Sequence, residues 1–133
     1  MISGHCECGR VRYLVNGDIS DFSHCHCSQC RRLHGAAFAT FAGVSRNKFQ
    51  YVSGEDDTKI YASSEYNERV FCAECGSTIL VDPGQEPDAL YISMSTVEGN
   101  PPHPEGYHAY VGSKAEWHEI TDDLEQYDTE PPE

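Results

Sequence analysis

Basic residues are scarce in this chain, and their scarcity limits which partners it can bind. Lysine and arginine together number 9 in 133 residues, against 22 aspartates and glutamates, so the formal net charge is −13. Proteins that bind nucleic acid rely on clustered positive charge to neutralise phosphates. We therefore expect no binding to DNA or RNA.

Long apolar segments and a secretory leader are also missing. The sequence has no run of about 18 apolar residues, the length that a membrane-spanning helix needs. Its first residues, Met-Ile-Ser-Gly-His, have neither the basic start nor the apolar centre of a signal peptide. We therefore expect a soluble, non-secreted protein that does not bind membranes.

Cysteine is what the sequence does contain, in three tight groups. The groups are Cys6 with Cys8, then Cys25 with Cys27 and Cys30, then Cys72 with Cys75. A disulfide network needs an even count and usually wider separations, whereas thiolates this closely spaced converge on one metal ion. Because free thiolates persist in a reducing compartment, the expected location is the cytoplasm.

The seven cysteines divide most simply into one set of four and one set of three. Structural zinc takes four ligands at tetrahedral corners, and the four are predicted to be Cys6, Cys8, Cys72 and Cys75. Each pair is followed by a glycine, Gly9 or Gly76, which reaches a positive φ without strain. Such a site would connect the N-terminal segment to the middle of the chain through shared metal ligands.

The remaining three cysteines, Cys25, Cys27 and Cys30, leave one tetrahedral corner without a cysteine. If water or a substrate occupies that corner, the zinc is free to do chemistry. If a histidine occupies it, the site is closed and structural. The histidines considered for that position are His24, His26, His34 and His108. A disulfide among the three cysteines is a further alternative.

Outside the cysteine groups, the sequence predicts short strands and little helix. Val11, Tyr13 and Val15 recur at every second position, as in a half-buried strand. Further strands are predicted over 37–42, 48–52, 59–62, 68–71, 78–81, 89–94 and 108–111. Residues 28–33 predict one or two helical turns, with Ser28 as the N-cap and Gly35 beyond the end. We therefore expect a mainly β fold of short antiparallel strands.

The length of the chain is that of one domain, which we place at residues 1–121. Two turn-rich loops are predicted, at 82–88 and 99–106. Residues 122–133 are strongly acidic and end in Glu-Pro-Pro-Glu. We interpret them as an acidic C-terminal tail that frays from the domain.

Three motifs in order give the chain a family resemblance. They are Gly4-His5-Cys6-Glu7-Cys8-Gly9-Arg10, His24-Cys25-His26-Cys27-Ser28-Gln29-Cys30-Arg31-Arg32 and Phe71-Cys72-Ala73-Glu74-Cys75-Gly76-Ser77. Together they resemble the glutathione-dependent formaldehyde-activating enzyme family, also called the GFA or CENP-V-type domain. The resemblance extends from about residue 4 to about residue 127, because His108-Ala109-Tyr110-Val111, Lys114 and Trp117 also resemble the closing segment of the family.

The resemblance implies a fold, a metal content and an activity. The implied fold is mainly β and of the Mss4-like kind, with short zinc-binding turns called knuckles. Two zinc ions per chain are implied, a structural one at the four cysteines and a second one at the three. The implied activity is that of a carbon–sulfur lyase acting on S-hydroxymethylglutathione, the adduct of glutathione and formaldehyde.

Residues next to the second zinc are the candidates for catalysis and substrate binding. His26 lies between two ligands and can shuttle a proton, because histidine titrates near neutrality. Cys27 can leave the metal and form a mixed disulfide with glutathione. Arg31 and Arg32 follow the last ligand, and a guanidinium fits a glutathione carboxylate with two parallel hydrogen bonds.

Two other functions fit the same residues. One is a zinc-stabilised binding module without catalysis, which would have both metals fully coordinated by protein and an exposed docking patch. The other is a thiol-redox-responsive zinc protein, in which Cys27 reports the state of the thiol pool. An enzyme would instead need a second zinc with an accessible fourth position.

Overall fold

Short β-strands make up most of the fold. The computed structural model describes residues 1–132. Their strands are β1 (Ile2–His5), β2 (Arg12–Val15), β3 (Asp21–Cys25), β4 (Ala39–Ser45), β5 (Phe49–Ser53), β6 (Thr58–Ala62), β7 (Asn67–Cys72), β8 (Thr78–Pro83), β9 (Ala89–Ser93), β10 (Tyr107–Ala109) and β11 (Glu125–Gln126). The helix α1 spans Ser28–His34, and short 3-10 turns cover Arg46–Lys48, Glu55–Asp57, Met94–Thr96 and Val111–Ser113. No helix within this range is both long and apolar enough to cross a membrane.

The strands form two sheets. The small sheet has the order β1-β2-β5, and the large sheet has the order β11-β10-β3-β4-β9-β8-β7-β6. The predicted mainly β fold of short antiparallel strands is confirmed, with one exception in direction. β10 runs parallel to both of its neighbours, β3 and β11. Parallel neighbours need a long connection, and the proline-rich stretch 99–106 forms part of the one that precedes β10.

The hydrophobic core lies between the small sheet and one face of the large sheet. Ile2, Tyr13 and Val15 of the small sheet belong to the same buried cluster as Ala42, Val44, Leu80, Leu90 and Ile92 of the large sheet. Tyr13 is 1% exposed and its hydroxyl bonds to Thr96 Oγ1 at 2.7 Å. Its ring crosses β1 at Gly4, where a Cβ atom would lie 2.3 Å from it. Each fully buried side chain of this size contributes about 1.5–3 kcal/mol.

The other face of the large sheet, here called the outer face, carries a second cluster. Its buried members are Cys30, Ala39, Phe41 and Val81, and the three on strands alternate there with residues of the main core. Successive strand residues point to opposite faces, so this cluster lies across the sheet from the main core. Cys25, Cys27 and Tyr91 are partly buried and pack against it.

The helix α1 begins with a cysteine cap. Cys27 has extended backbone angles and its Sγ accepts a hydrogen bond from the Cys30 N–H at 3.3 Å. The prediction that Ser28 is the N-cap is therefore wrong by one residue, because the thiol takes the role that a hydroxyl usually has. Gly35 ends the helix at a φ of 58°, as predicted.

The C-terminal segment is part of the large sheet, so the prediction that it frays is wrong. β11 pairs with β10, and the Tyr127 N–H donates to the His108 carbonyl at 2.9 Å. The Tyr110 N–H donates to the Thr129 carbonyl at 2.9 Å. Acidic composition predicted a solvated tail, but pairing with a strand far back in the chain outweighs local composition.

Removing the C-terminal segment is expected to destabilise the fold. A chain that ends at Thr121 loses β11 and the four backbone hydrogen bonds that join residues 108–112 to residues 127–129. At about 0.5–1.5 kcal/mol for each bond, the free energy of unfolding should fall by at least about 2 kcal/mol. Urea denaturation of the metal-loaded protein would measure the change. A chain that ends at residue 130 is the control and should match the full chain. Equal urea midpoints for all three would contradict the prediction.

Candidate functional site

The first cysteine cluster joins two distant turns. Cys6 and Cys8 lie between β1 and β2, and Cys72 and Cys75 lie at the turn between β7 and β8. Their four Sγ atoms all lie within 4.8 Å of one another. The Sγ–Sγ distance is 3.6 Å from Cys6 to Cys8 and 3.7 Å from Cys8 to Cys72. A tetrahedral site with metal–sulfur bonds of about 2.3 Å has edges of about 3.8 Å, so the cluster can hold a metal ion.

Local backbone geometry holds these four sulfurs in place. Gly9 and Gly76 have φ angles of 80° and 78°, which confirms the positive φ expected after each pair. The Val11 N–H donates to Cys6 Sγ at 3.3 Å. The Glu7 N–H donates to Ser77 Oγ at 3.0 Å and links the two turns directly. The cluster therefore joins the N-terminal segment to the middle of the chain, as the sequence predicted.

The second cysteine cluster lies on the outer face, where β3 leads into α1. Cys25 ends β3, Cys27 caps the helix and Cys30 lies in its first turn, with all three Sγ atoms within 4.8 Å of one another. Among residues 1–132, no histidine, aspartate or glutamate joins this group at that spacing. The chain therefore offers three sulfur ligands, and none of the four histidines proposed for the open corner occupies it.

Hydrogen bonding between the thiols of the second cluster shifts the pKa values of Cys25 and Cys27 in opposite directions. Contact with Cys25 lowers the pKa of the Cys27 thiol, and contact with Cys27 raises the pKa of Cys25. One thiolate therefore forms readily, and like charge opposes ionisation of the thiols beside it. A bound cation removes this opposition and allows all three to act as ligands.

Arg69 contacts the second cluster, and sequence reasoning missed it. Its Nη2 donates to Cys30 Sγ at 3.3 Å, and its guanidinium carbon lies 5.9 Å from the centre of the Phe41 ring. The side chain is 8% exposed. Arg69 is 39 residues from Cys30 along the chain, and only the strand order brings them together. The available signal was its place in β7, where it alternates with the core residue Val70.

His34, at the end of α1, also lies on the outer face. Its ring packs edge-on against Phe41 with centroids 5.3 Å apart. Burial, with a smaller contribution from Arg69, lowers its pKa to about 4. The Nε2 atom is buried and has no hydrogen-bond partner among residues 1–132. His34 lines a cavity of about 520 Å³ that reaches Cys6 of the first cluster.

The other three histidines named for the open corner, His24, His26 and His108, lie across the sheet from the second cluster. His24 pairs in register with Thr40 and Cys25 with Ala39, so alternation places His24 and Cys25 on opposite faces. His24 Nδ1 bonds to Thr40 Oγ1 at 2.8 Å.

His26 belongs to a hydrogen-bonded chain on that same side. Its Nε2 lies 2.8 Å from His108 Nδ1, and His108 Nε2 lies 3.0 Å from an Asp122 carboxylate oxygen. The His26 ring is fully buried beside Phe38, with centroids 4.9 Å apart. Its ligand atoms do not join the three sulfurs. The geometry therefore does not favour the direct catalytic role predicted for His26.

The two arginines predicted to bind glutathione differ in their surroundings. Arg31 donates from Nε to the His26 carbonyl and from Nη2 to the Ser113 carbonyl, each at 3.3 Å. It therefore ties α1 to the turn after β10. Arg32 is exposed. Both line a shallow cavity of about 240 Å³ beside Trp117, which is 74% exposed.

Comparison with known proteins gives consistent matches. The sequence model of the glutathione-dependent formaldehyde-activating enzyme family matches residues 1–113. A curated protein of Halomonas elongata, provisionally named a glutathione-dependent formaldehyde-activating enzyme, is 28% identical over 127 residues, which cover 90% of this chain and 81% of the relative. An uncharacterized lyase of Schizosaccharomyces pombe is 32% identical over 76 residues, which cover 57% of this chain and 53% of the relative.

A solved structure matches the fold as well. The crystal structure of a Rhodobacter sphaeroides protein aligns with a TM-score of 0.60 at 25% identity, covering 75% of this chain and 91% of that one. The family match spans both cysteine clusters and most of the large sheet. On this evidence the chain belongs to the glutathione-dependent formaldehyde-activating enzyme family.

Proposed function

We propose that this protein is a zinc-dependent carbon–sulfur lyase that joins glutathione to formaldehyde and cleaves the product, S-hydroxymethylglutathione. The observation that carries the proposal is the second cluster, in which three sulfurs converge and no ligand atom of residues 1–132 completes the tetrahedron. Family membership and the name of the Halomonas elongata relative support this pair of substrates. The name of the Schizosaccharomyces pombe relative supports lyase activity alone.

The donor sets of both clusters fit zinc. Soft thiolate ligands in a tetrahedral arrangement favour zinc over harder divalent ions. We assign a structural zinc to Cys6, Cys8, Cys72 and Cys75 and a second zinc to Cys25, Cys27 and Cys30. Bound at the second cluster, zinc supplies a Lewis acid that keeps a substrate sulfur in its nucleophilic thiolate form.

His34 is the residue we assign to proton transfer in place of His26. Adduct formation places a proton on the former aldehyde oxygen, and cleavage removes it. Because its pKa is lowered to about 4, His34 is neutral near pH 7 and offers both an N–H and a lone pair. Its buried Nε2 has no partner within the described chain and lies on the same face as the second cluster.

Arg32 is the residue we assign to a glutathione carboxylate. With a net charge of −13, the protein repels an anionic thiol at long range, so local positive groups must offset this. The guanidinium of Arg31 already donates to two backbone carbonyls. Arg32 is exposed on the shallow cavity beside Trp117, which Arg31 also lines. Its guanidinium can bind a carboxylate through two parallel hydrogen bonds.

Replacing Cys27 with serine tests the second cluster. We expect Cys27→Ser to fold with one zinc per chain instead of two, because the four-cysteine site is untouched. Lyase activity should fall at least about 100-fold, because the variant lacks the zinc that would hold the substrate sulfur as a thiolate. Elemental analysis and an assay of S-hydroxymethylglutathione formation would measure both effects. The control is Ser28→Ala, which changes the next residue and should keep two zincs. Full activity in Cys27→Ser would contradict the assignment, and wild-type activity that excess reductant abolishes would indicate redox control through Cys27 instead.

Replacing His34 with glutamine tests the proton-transfer role. His34→Gln keeps a polar side chain but cannot exchange a proton, so kcat should fall about 100-fold with little change in KM. The control is His118→Gln, a histidine near His26 whose ring centroid lies 6.3 Å from it. That variant should keep the wild-type kcat. If the two variants lose activity equally, the role of His34 is wrong.

Reversing the charge of Arg32 tests substrate binding. Arg32→Glu should raise the KM for glutathione about 10-fold, equivalent to about 1.4 kcal/mol, and leave kcat unchanged. Steady-state kinetics over a range of glutathione concentrations would show the change. Lys59→Glu on β6 makes the same change in net charge away from α1 and is the control. Equal KM values for the two variants would mean that only long-range charge matters.

A further inference from the structure

The guanidinium of Arg69 has one nitrogen atom without a hydrogen-bond partner. Its Nε donates to Ser63 Oγ at 3.4 Å, and its Nη2 donates to Gln29 Oε1 and to Cys30 Sγ, each at 3.3 Å. Its Nη1 is buried and has no partner among residues 1–132. Three contacts therefore fix the plane of the group, while the edge that carries Nη1 is enclosed and has no acceptor among residues 1–132.

A buried guanidinium needs compensating negative charge, because it cannot lose its proton. Arg69 is only 8% exposed, and no carboxylate of residues 1–132 forms an ion pair with it. Its counter-charge is therefore the cysteine cluster that it contacts at Cys30. Three thiolates are balanced by one divalent cation together with one guanidinium. The second site is consequently neutral overall and has a fixed positive group beside it.

The free Nη1 is close to this site. Both Nη atoms belong to one rigid planar group, so Nη1 lies within about 6 Å of Cys30 Sγ. A buried donor without an acceptor is unfavourable unless a ligand or water supplies one. A lysine would also have balanced the charge, but its single ammonium cannot contact Gln29 and Cys30 while keeping a second donor fixed in direction.

We propose that Arg69 is a catalytic residue whose Nη1 donates a hydrogen bond to the aldehyde oxygen and stabilises the charge that develops there. The inference rests on the proposed function and adds a residue to the same site. The thiolate sulfur of glutathione attacks the carbonyl carbon and forms the carbon–sulfur bond. The π electrons of the carbonyl move to the oxygen, which becomes an alkoxide and then takes one proton to give the hydroxymethyl group. Cleavage runs through the same steps in reverse.

A fixed donor is well suited to this step because the charge on oxygen exists only as the bond forms. Donors held in place before the reaction stabilise such charge without reorganising, and loss of one typically lowers kcat about 100- to 1000-fold. The hydrogen bonds to Ser63, Gln29 and Cys30 and the cation–π contact with Phe41 supply that rigidity.

The first experiment uses formate as a probe, since it combines the size of formaldehyde with negatively charged oxygen. Formate is titrated into the zinc-loaded full-length protein labelled with ¹⁵N at arginine, and the guanidinium N–H signals are followed by NMR. We expect saturable shifts of the Arg69 signals, with the Arg46 signals unchanged. Absence of any formate-dependent shift at Arg69 would overturn the proposal, and this result requires no variant to fold.

The second experiment compares Arg69→Lys with Arg46→Lys. Arg46 pairs with Asp82 and follows the end of β4 opposite to Ala39, the residue that pairs with Cys25. The control therefore makes the same chemical change away from the second cluster. We expect Arg69→Lys to retain two zincs, to lose kcat about 100-fold and to change KM less than about 3-fold. Loss of zinc from Arg69→Lys would mean that the residue acts only as a counter-ion, and an unchanged kcat would also overturn the proposal.

The two experiments separate this inference from the proposed function. If formate shifts Arg69 in a wild-type protein that has no lyase activity, the anion site is supported and the proposed function fails. If the wild-type protein is active and Arg69→Lys is equally active, the proposed function is supported and the role of Arg69 fails.

Discussion

Repulsion between closely spaced thiolates is the constraint on which the rest of this structure depends. The fold brings seven cysteines into two groups whose sulfurs lie within 4.8 Å of one another. Groups this close cannot all ionise without a cation. The first group offers four sulfurs and lies where the small sheet meets the turn between β7 and β8. The second offers three sulfurs, one of which accepts a hydrogen bond from Arg69. In the proposed function, this difference of one ligand separates the structural metal site from the reactive one.

The large sheet separates two kinds of chemistry by its faces. The outer face holds the three-cysteine cluster with Arg69 and His34, whereas the hydrogen-bonded chain from His26 through His108 to Asp122 lies across the sheet. The histidine chain fixes the backbone beside the cluster, since the His26 N–H donates to the Ala109 carbonyl at 2.9 Å. Its buried rings hold β3 against β10 and thereby position the segment that carries the ligands.

Spacing within the sequence predicted the cysteine groups, the glycines that follow them and the mainly β fold, because each depends on residues a few positions apart. The sequence could not predict the position of Arg69, the placement of His26 or the pairing of β11. Each depends on which strands become neighbours and on which face a side chain takes. His26 shows this most clearly: adjacency to two ligands suggested contact with the metal, but strand alternation directs its ring to the opposite side.

The distances along the chain that separate the ligands also set an order of events. The second cluster draws its ligands from the six-residue segment 25–30, whereas Cys8 and Cys72 are 64 residues apart. Closing a loop costs more conformational entropy as the loop lengthens. The short segment can therefore capture a metal ion in the nascent chain, but the four-cysteine site must wait until the β7–β8 turn has been synthesised. On the proposed metal assignment, the three-cysteine cluster can therefore be filled during synthesis, whereas the four-cysteine cluster can be filled only after residue 75 has been added.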